Sequence, residues 1–569
     1  MQYHAQCFAD VASVERVTVV GYNGERCISS LEPAAEMNKK QQQKKNSSKI
    51  VLHRFTQFEA PAFLIKSTFL RQILKGLVMC LHLLYKFLTL PKYDVVIIQN
   101  PPCLPVLLAA IFVYIVSGFR FQIWLDWHNL GFTMFKRGSL ASKISKVLER
   151  ILSRFAHRHF CVSKAMQEWL EMEFDLKEVL VLYDRPTRRF TRGSDDYDYN
   201  DDDDDDRNLT GNGNNVTPRR HYRRSQRAFS SSSSPSSFSP STVAQNIISI
   251  QQRHELFMRL NLVDASVFKH DPEKNDPNDN VGTTTVQTYI DADSTCQMRN
   301  DACRILLSST SWTEDEDFSL LLDALIKLNK KLMTNSKKSD WGAFESNRIL
   351  CIITGKGPLK ETFLDKYRKV ESSMTKVSII TPWLEPEDYP LLVKCADAGV
   401  CLHTSTSGLD LPMKVLDMFG AGLAVVALEY PAIVELIKNN ENGLLFDETL
   451  SVNDNKGRNS NNDMQQTFEN KLTHKDDLKM KNYGSKETPT SRSLYDCLDK
   501  LFCIPTSKLK INRLRMSVVN NNLSALGWEA LWQQTMDDNQ LLGNEIESGN
   551  SNGKEKIVSI QRTRETKKR

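Results

Sequence analysis

The sequence predicts an α/β chain of two doubly wound domains facing each other across a cleft. Three observations carry that prediction. Short apolar runs alternate with helical stretches along both halves of the chain. The runs are nearly continuous in Val, Ile and Leu, as strands buried on both faces of a parallel sheet must be. Between the halves lies a stretch whose composition cannot bury a core.

The first block spans residues 1–186. Residues 14–22 (VERVTVVGY) read as a strand ending at Gly21. A basic, apolar stretch follows at 63–90, with Lys66, Arg71, Lys75 and Lys86 among Leu, Ile, Phe and Val. Residues 93–99 (YDVVIIQ) form a buried strand that Pro101 and Pro102 break, and 104–117 is an apolar helix. Strand 119–125 runs into the polar turn from Asp126 to Gly131. A basic helix at 142–155, a strand at 159–163 and a strand at 179–183 complete the block, with Ser163 capping the helix from Lys164.

Residues 187–300 read as a largely disordered insertion with a short helix near 255–262. The insertion carries an acidic run at 201–206, a basic patch at 219–227 and a serine run at 230–237. The second block spans 301–450, with strands at 304–309, 348–354, 377–381, 398–403, 424–428 and 443–446. A disordered insertion at 451–490, terminal helices within 491–540 around Trp528 and Trp532, and a basic tail at 541–569 follow.

Composition narrows the function classes. Hydrophobic residues make up 40% and charged residues 25%, enough for sizeable cores. The net charge of +5 is concentrated in clusters, and the basic end at 561–569 reads as a solvated terminus, which sets nucleic acid aside. The 12 Cys show neither CxxC nor zinc spacing, and Cys161, Cys351 and Cys401 sit in apolar strands. That usage fits a reducing, cytosol-facing compartment. The sequence has no secretory signal pattern and no apolar run of about 20 residues. The segments at 63–90 and 104–117 suit either a membrane surface or ordinary core helices.

Every chemistry-bearing motif falls at a strand end, where open α/β sheets bind ligands. In the run 405–422 (STSGLDLPMKVLDMFGAG) a strand delivers a small-residue loop into a helix from Pro412 to Gly420. First-turn amides and the helix dipole there suit a diphosphate. Lys414 adds a positive charge, and Asp417 suits ribose hydroxyls. Ser407, Gly408, Leu409, Asp410 and Leu411 line the approach, and Gly420 and Gly422 let the helix end near the next strand. Gly355-Lys356-Gly357 reads either as a second phosphate-facing loop or as a common turn. Trp383 and Leu384 offer a wall for a nucleobase, or a buried packing group. Ser309, Thr310, Glu314, Asp315, Glu316 and Asp317 either orient sugar hydroxyls or serve a helix start that Thr313 caps. In the first block, Asp126 and His128 put a carboxylate and an imidazole two residues apart at a strand end. Either suits the base that a hydroxyl nucleophile requires, or both belong to a satisfied polar turn.

Taken together these motifs resemble the chitobiosyldiphosphodolichol beta-mannosyltransferase family. The resemblance rests on IIQNPP (97–102), DWHN (126–129), LYDRP (182–186), SSTSWTEDEDFSLLLDAL (308–325), ITGKGP (353–358), TPWLEPEDYPLLV (381–393) and GVCLHTSTSGLDLPMKVLDMFGAGLAV (399–425). It implies two facing Rossmann-like domains of GT-B type. It implies transfer of mannose from GDP-mannose to a dolichol-linked diphospho-chitobiose, with inversion, to give a beta-1,4 bond. The place implied is the cytosolic face of the endoplasmic reticulum membrane, beside other mannosyltransferases of the same pathway. No metal or other cofactor is expected, because helix dipole and basic side chains replace it. Family members usually open with a membrane anchor, a first strand and a glycine loop, and the resemblance implies that these are missing here. That leaves two other readings: a donor-binding but inactive truncated homologue acting as a partner subunit, and a different GDP-sugar transferase of the same fold. A nucleotide-sugar epimerase would leave the basic apolar segments without a purpose.

Overall fold

The computed structural model describes residues 2–11, 13–22, 49–55, 68–101, 104–136, 138–186, 190, 248–269, 284–291, 293–335, 348–447, 493–504, 506–520, 528–539 and 541. The acidic run at 201–206, the insertion at 451–490 and the basic end at 561–569 lie outside the described residues.

The chain opens with α1 (Gln2–Asp10) and a parallel pair, β1 (Val17–Tyr22) and β2 (Ile50–Phe55). Neither α1 nor β2 is legible in the sequence, since His53 and Arg54 interrupt the apolar run of β2. Next come α2 (Thr68–Thr89), β3 (Val95–Asn100), α3 (Leu104–Val116), β4 (Gln122–Trp127), α4 (Leu140–Ser153), β5 (Arg158–Cys161), α5 (Lys164–Phe174) and β6 (Val179–Val181). Strands β3 to β6 form one parallel sheet in chain order. Ser163 caps α5, its Oγ accepting from the Met166 amide at 3.0 Å.

The described part of the region read as disordered carries regular structure. Helix α6 (Ile250–Arg259) starts five residues before the expected 255, because Ser249 and Gln252 form a reciprocal capping box. A short helix α7 (Asp264–Val267) and an antiparallel hairpin, β7 (Thr288–Ile290) with β8 (Cys296–Met298), follow. Polar composition hid them, although they bury Val267, Phe268 and Val286 and are tied down by a buried ion pair. Asp264 is 1% exposed and binds Arg348 Nη1 through both oxygens, at 3.0 and 3.2 Å. Arg299 lies 3.5 Å away, and Asp301 binds Arg348 Nη2 at 2.8 Å.

The second block runs β9 (Arg304–Ser309), α8 (Phe318–Asn335), β10 (Ile349–Thr354), α9 (Lys360–Arg368), β11 (Val377–Ile380), α10 (Asp388–Cys395), β12 (Ala398–Cys401), α11 (Met413–Gly420), β13 (Val425–Leu428), α12 (Ile433–Leu436) and β14 (Gly443–Phe446). Its six parallel strands are ordered β11-β10-β9-β12-β13-β14. Direction therefore reverses between β9 and β12, and a crevice opens beyond their carboxyl ends.

The terminal helices divide between the blocks. Helix α13 (Leu494–Phe502) buries Leu498, Leu501 and Phe502 in the second core, and α14 (Ser507–Asn520) follows. Helix α15 (Trp528–Asp538) crosses back and packs Trp528, Trp532 and Met536 against Cys7, Trp124 and Phe160 of the first block. Among the described residues no helix is long and apolar enough to cross a membrane.

Removing the cation from the buried Arg348–Asp264 pair takes from a buried carboxylate the guanidinium that binds both its oxygens. Arg348→Leu is expected to lower stability by about 3 kcal/mol, read from the urea midpoint with the slope unchanged.

Candidate active site

The crevice is furnished from both blocks. Strand β4 ends by delivering Asp126, whose side chain is 3% exposed. A carboxylate so placed needs partners, and imidazoles supply them. His128 Nε2 lies 2.9 Å from Asp126 Oδ2, and His4 Nε2 lies 3.3 Å from the same oxygen. His128 Nδ1 lies 3.6 Å from Asp184 Oδ2, just beyond β6. Burial would raise the Asp126 pKa, but the charge and hydrogen bonds of His128 and His4 outweigh it and hold the group well below the usual carboxylate range. For His128, burial opposes protonation, yet Asp126 and Asp184 push its pKa above 6.5. Burial raises Asp184. Asn100 fixes the turn: its carbonyl accepts from the His128 amide at 3.0 Å and its Nδ2 donates to the Asn129 carbonyl at 3.1 Å.

His4 extends the network. Its Nδ1 accepts from Trp532 Nε1 at 3.2 Å, and its ring meets Trp528 edge-on at 5.1 Å. An indole N–H only donates, so the proton of a neutral His4 sits on Nε2, facing Asp126. Helix α15 thus positions the Asp126–His128 pair from the far end of the chain.

In the second block, the two loops flanking the reversal hold the remaining groups. After β9, Thr310 Oγ1 donates to Glu316 Oε2 at 2.5 Å, and Lys414 Nζ binds Glu316 Oε1 at 2.5 Å. Glu316 is 3% exposed, so Lys414 answers a buried charge. After β12, His403 bridges two carboxylates, with Nδ1 3.0 Å from Asp315 Oδ2 and Nε2 3.7 Å from Asp410 Oδ2. Burial lowers the His403 pKa, but the hydrogen bonds to Asp315 and Asp410 prevail and push it up to about 9. Asp315 is held below the usual carboxylate range, chiefly by its hydrogen bond with His403. Ser405 Oγ donates to Asp410 and accepts from the Gly408 amide at 2.9 Å, folding the loop ahead of α11. Asp417, on α11, is raised by burial to about 7.

Hydrogen bonds join the two walls of the crevice. Asn129 Nδ2 donates to Asp410 Oδ1 at 3.1 Å and to Thr406 Oγ1 at 3.3 Å, and Thr133 Oγ1 meets Thr406 Oγ1 at 3.1 Å. Ser163 Oγ donates to the Leu409 carbonyl at 2.5 Å. Glu435 completes the join: its oxygens accept from the Lys164 and Ala165 amides at 2.9 and 2.7 Å, at the start of α5, and from Tyr183 Oη at 2.9 Å.

Several sequence expectations change in detail. Gly355 and Gly357 are needed for packing. A Cβ would lie 1.8 Å from the Thr310 carbonyl at Gly355 and 1.7 Å from the Ser311 carbonyl at Gly357, so the glycines let these loops pack against each other. Gly420 makes room for Pro186, 2.5 Å from its would-be Cβ, and not for the next strand. Helix α8 is capped by Asp317, which accepts from the Ser319 amide at 2.8 Å, and not by Thr313. Leu384, Leu409 and Leu411 bury their side chains in the core and offer only backbone to the crevice. Trp383 is 54% exposed, with Lys356 Nζ 3.5 Å above its ring, which excludes the buried packing role. Ser309 accepts from Tyr389 Oη at 3.1 Å. His4, Asp184, His403 and Glu435 went unmarked. For His403 the signal was available: it is the titratable residue closing strand run 398–403, in the same block as an acidic cluster. For His4 and Glu435 there was none, because their partners lie hundreds of residues away.

The chain's relatives identify its family. Residues 306–453 match the family model described as glycosyl transferases group 1. UDP-glycosyltransferase TURAN of Arabidopsis thaliana is 32% identical over 470 residues, covering 80% of this chain and 84% of that protein. The human chitobiosyldiphosphodolichol beta-mannosyltransferase is 32% identical over 380 residues, with 66% of each chain covered. Its Dictyostelium discoideum counterpart is 29% identical over 473 residues, covering 79% and 78%. The chain therefore spans just under two thirds of the human relative's length. Among solved structures, sucrose-phosphate synthase from Thermosynechococcus elongatus matches with a TM-score of 0.42 at 9% identity, covering 79% of this chain and 74% of that one, too loosely to carry weight.

His403 is expected to stay charged through neutral pH. Histidine NMR should find its titration near 9, and Asp315→Asn should move it down toward the ordinary 6.5.

Proposed function

The chain belongs to the chitobiosyldiphosphodolichol beta-mannosyltransferase family, glycosyltransferases of GT-B fold, and we propose that it moves mannose from GDP-mannose to a dolichyl-diphospho-chitobiose acceptor with inversion. One observation carries this reading. The Asp126–His128 pair sits on a turn hydrogen-bonded, through Asn129, to the loop that leads into α11. A base on one wall therefore faces an anion site on the other.

The donor diphosphate lies at the start of α11, where no side chain caps the helix. Lys414 turns from Glu316 toward the phosphate as the anion arrives. Asp417 accepts ribose hydroxyls, Trp383 walls the base, and Asp315 and Glu314 orient the sugar. Helix and Lys414 supply the charge that a metal would otherwise supply, so no cofactor is required. Since Asp126 holds Nε2, the acceptor hydroxyl gives its proton to His128 Nδ1. The acceptor oxygen bonds to C1 of mannose from the face opposite the phosphate. The bond from C1 to the phosphate oxygen breaks in the same displacement, and GDP leaves with the electron pair on its terminal phosphate. The reaction takes place on the cytosolic face of the endoplasmic reticulum membrane. The inactive-partner reading finds less support, because relatives named as transferases share most of the chain. The Arabidopsis relative's name specifies a UDP-sugar, which gives a second donor to test.

The test is transfer from labelled GDP-mannose, and in parallel from UDP-sugars, to a lipid-diphospho-chitobiose acceptor. A trisaccharide formed from GDP-mannose and undiminished by EDTA supports the reading, whereas product from UDP-sugars alone or loss with EDTA overturns it. His128→Ala should lower kcat by about 10²–10⁴-fold. Lys414→Ala should act mainly on the KM for GDP-mannose.

The pH profile is a second check. His128 serves as base only when neutral, and its raised pKa keeps it protonated longer. The rate should therefore climb with pH through a midpoint above 6.5. Asp184→Asn removes one of the charges raising it and should shift that midpoint down.

A further inference from the structure

Helix α4 is built inside out. Its buried residues are Ser145, Glu149 and Ser153, spaced four apart, whereas its exposed face carries Leu140, Ile144, Val147, Leu148 and Ile151. Leu140 is 73% exposed and Val147 56%. A water-facing helix of a globular protein shows the reverse pattern. The inversion is specific, since the inner polar row has partners. Ser145 Oγ donates to Glu149 Oε1 at 3.2 Å, and Glu149 faces the 131–132 backbone beside the Asp126–Asn129 turn.

The exposed row continues across neighbouring helices. Helix α3 packs against α4 and exposes Leu108, Phe112, Ile115 and Val116. Helix α2 packs against α3 and exposes Leu77, Leu81, Tyr85 and Leu88. Contiguous apolar surface on this scale marks a docking site. Charge selects the occupant. The single acid in the three helices is Glu149, which is buried, while Lys75, Lys86, Lys143 and Arg150 are basic. Apolar rows edged by cations suit an anionic bilayer surface, where the side chains enter the acyl boundary and the cations meet headgroup phosphate.

We propose that α4, with α3 and α2, forms a face that inserts into the interface of an anionic lipid bilayer, with α4 nearest the active site. This rests on the lipid-linked acceptor read above and specifies the surface that meets it. The turn of Asp126 and His128 then lies on the inner side of α4, where Glu149 meets Asn100 and the 131–132 backbone. The described parts of the segments at 63–90 and 104–117 belong to this face, and α4, read from sequence as a basic helix, extends it.

The test is co-sedimentation of the full chain with vesicles of phosphatidylcholine alone and with added phosphatidylserine. The expected result is stronger binding to the anionic vesicles and a loss of at least tenfold in Ile144→Glu/Ile151→Glu. Leu509→Glu, on α14, serves as a control at an exposed apolar residue outside this face and should bind as the unmodified chain does. GDP affinity should be unchanged in all variants, which separates failure of this face from failure of the donor site. Unaltered vesicle binding by the double variant overturns the proposal. So does a self-association, seen by sedimentation velocity, that the double variant abolishes while vesicle binding is absent throughout.

Discussion

A single buried carboxylate organises this molecule. Asp126 ends a central strand with its charge out of water, and a lone ion in that position would cost several kcal/mol. It is matched by two imidazoles, His128 from its own turn and His4 from the first helix. His4 is in turn held by an indole from the last described helix. The packing of α1 and α15 against the first sheet is therefore tied to the ionisation of one side chain. Loosening α15 would alter the tautomer of His4, and through it the orientation of His128, although α15 itself stands outside the crevice.

The second organising constraint is topological. Strand order reverses between β9 and β12, so the loops that follow them diverge and leave room between. Glu316 and Lys414, Asp315 and His403 are paired across that gap. Glu435 does for the join between blocks what these pairs do for the crevice floor. It fills the anion site at the start of α5, an end whose amides would otherwise face water or a ligand. One helix terminus is thus occupied by protein, and the terminus at α11 is without a side-chain cap.

Legibility in the sequence followed the range of the interactions. Strands β9, β10 and β14 are continuous apolar runs with turn residues behind them, and their limits could be read within a residue. Strand β2 could not, because His53 and Arg54 break its pattern, and α7 to β8 could not, because a buried ion pair with Arg348 helps anchor them. At the site, Asp126 with His128 and the 405–417 run were visible because each is local. Gly355 and Gly357 were visible as glycines, but their reason was not. They let one loop backbone touch another, and a Cβ would collide with carbonyls at Thr310 and Ser311. His4, Asp184 and Glu435 act over separations that no local pattern encodes.

The charges of the crevice also constrain how it works. Lys414 is bound to Glu316, and His403 to Asp315 and Asp410, so the cations already have counter-ions inside the protein. A diphosphate bound as proposed above would have to compete with these carboxylates, each exchange trading one ion pair for another. The net gain is smaller than two free cations would give, which favours release of the nucleoside diphosphate after transfer. Asp410 binds Asn129 of the first block as well as His403, so a change in charge at His403 is felt at the turn carrying His128. Through that shared carboxylate, the groups on the two walls of the crevice form one coupled system rather than two independent sites.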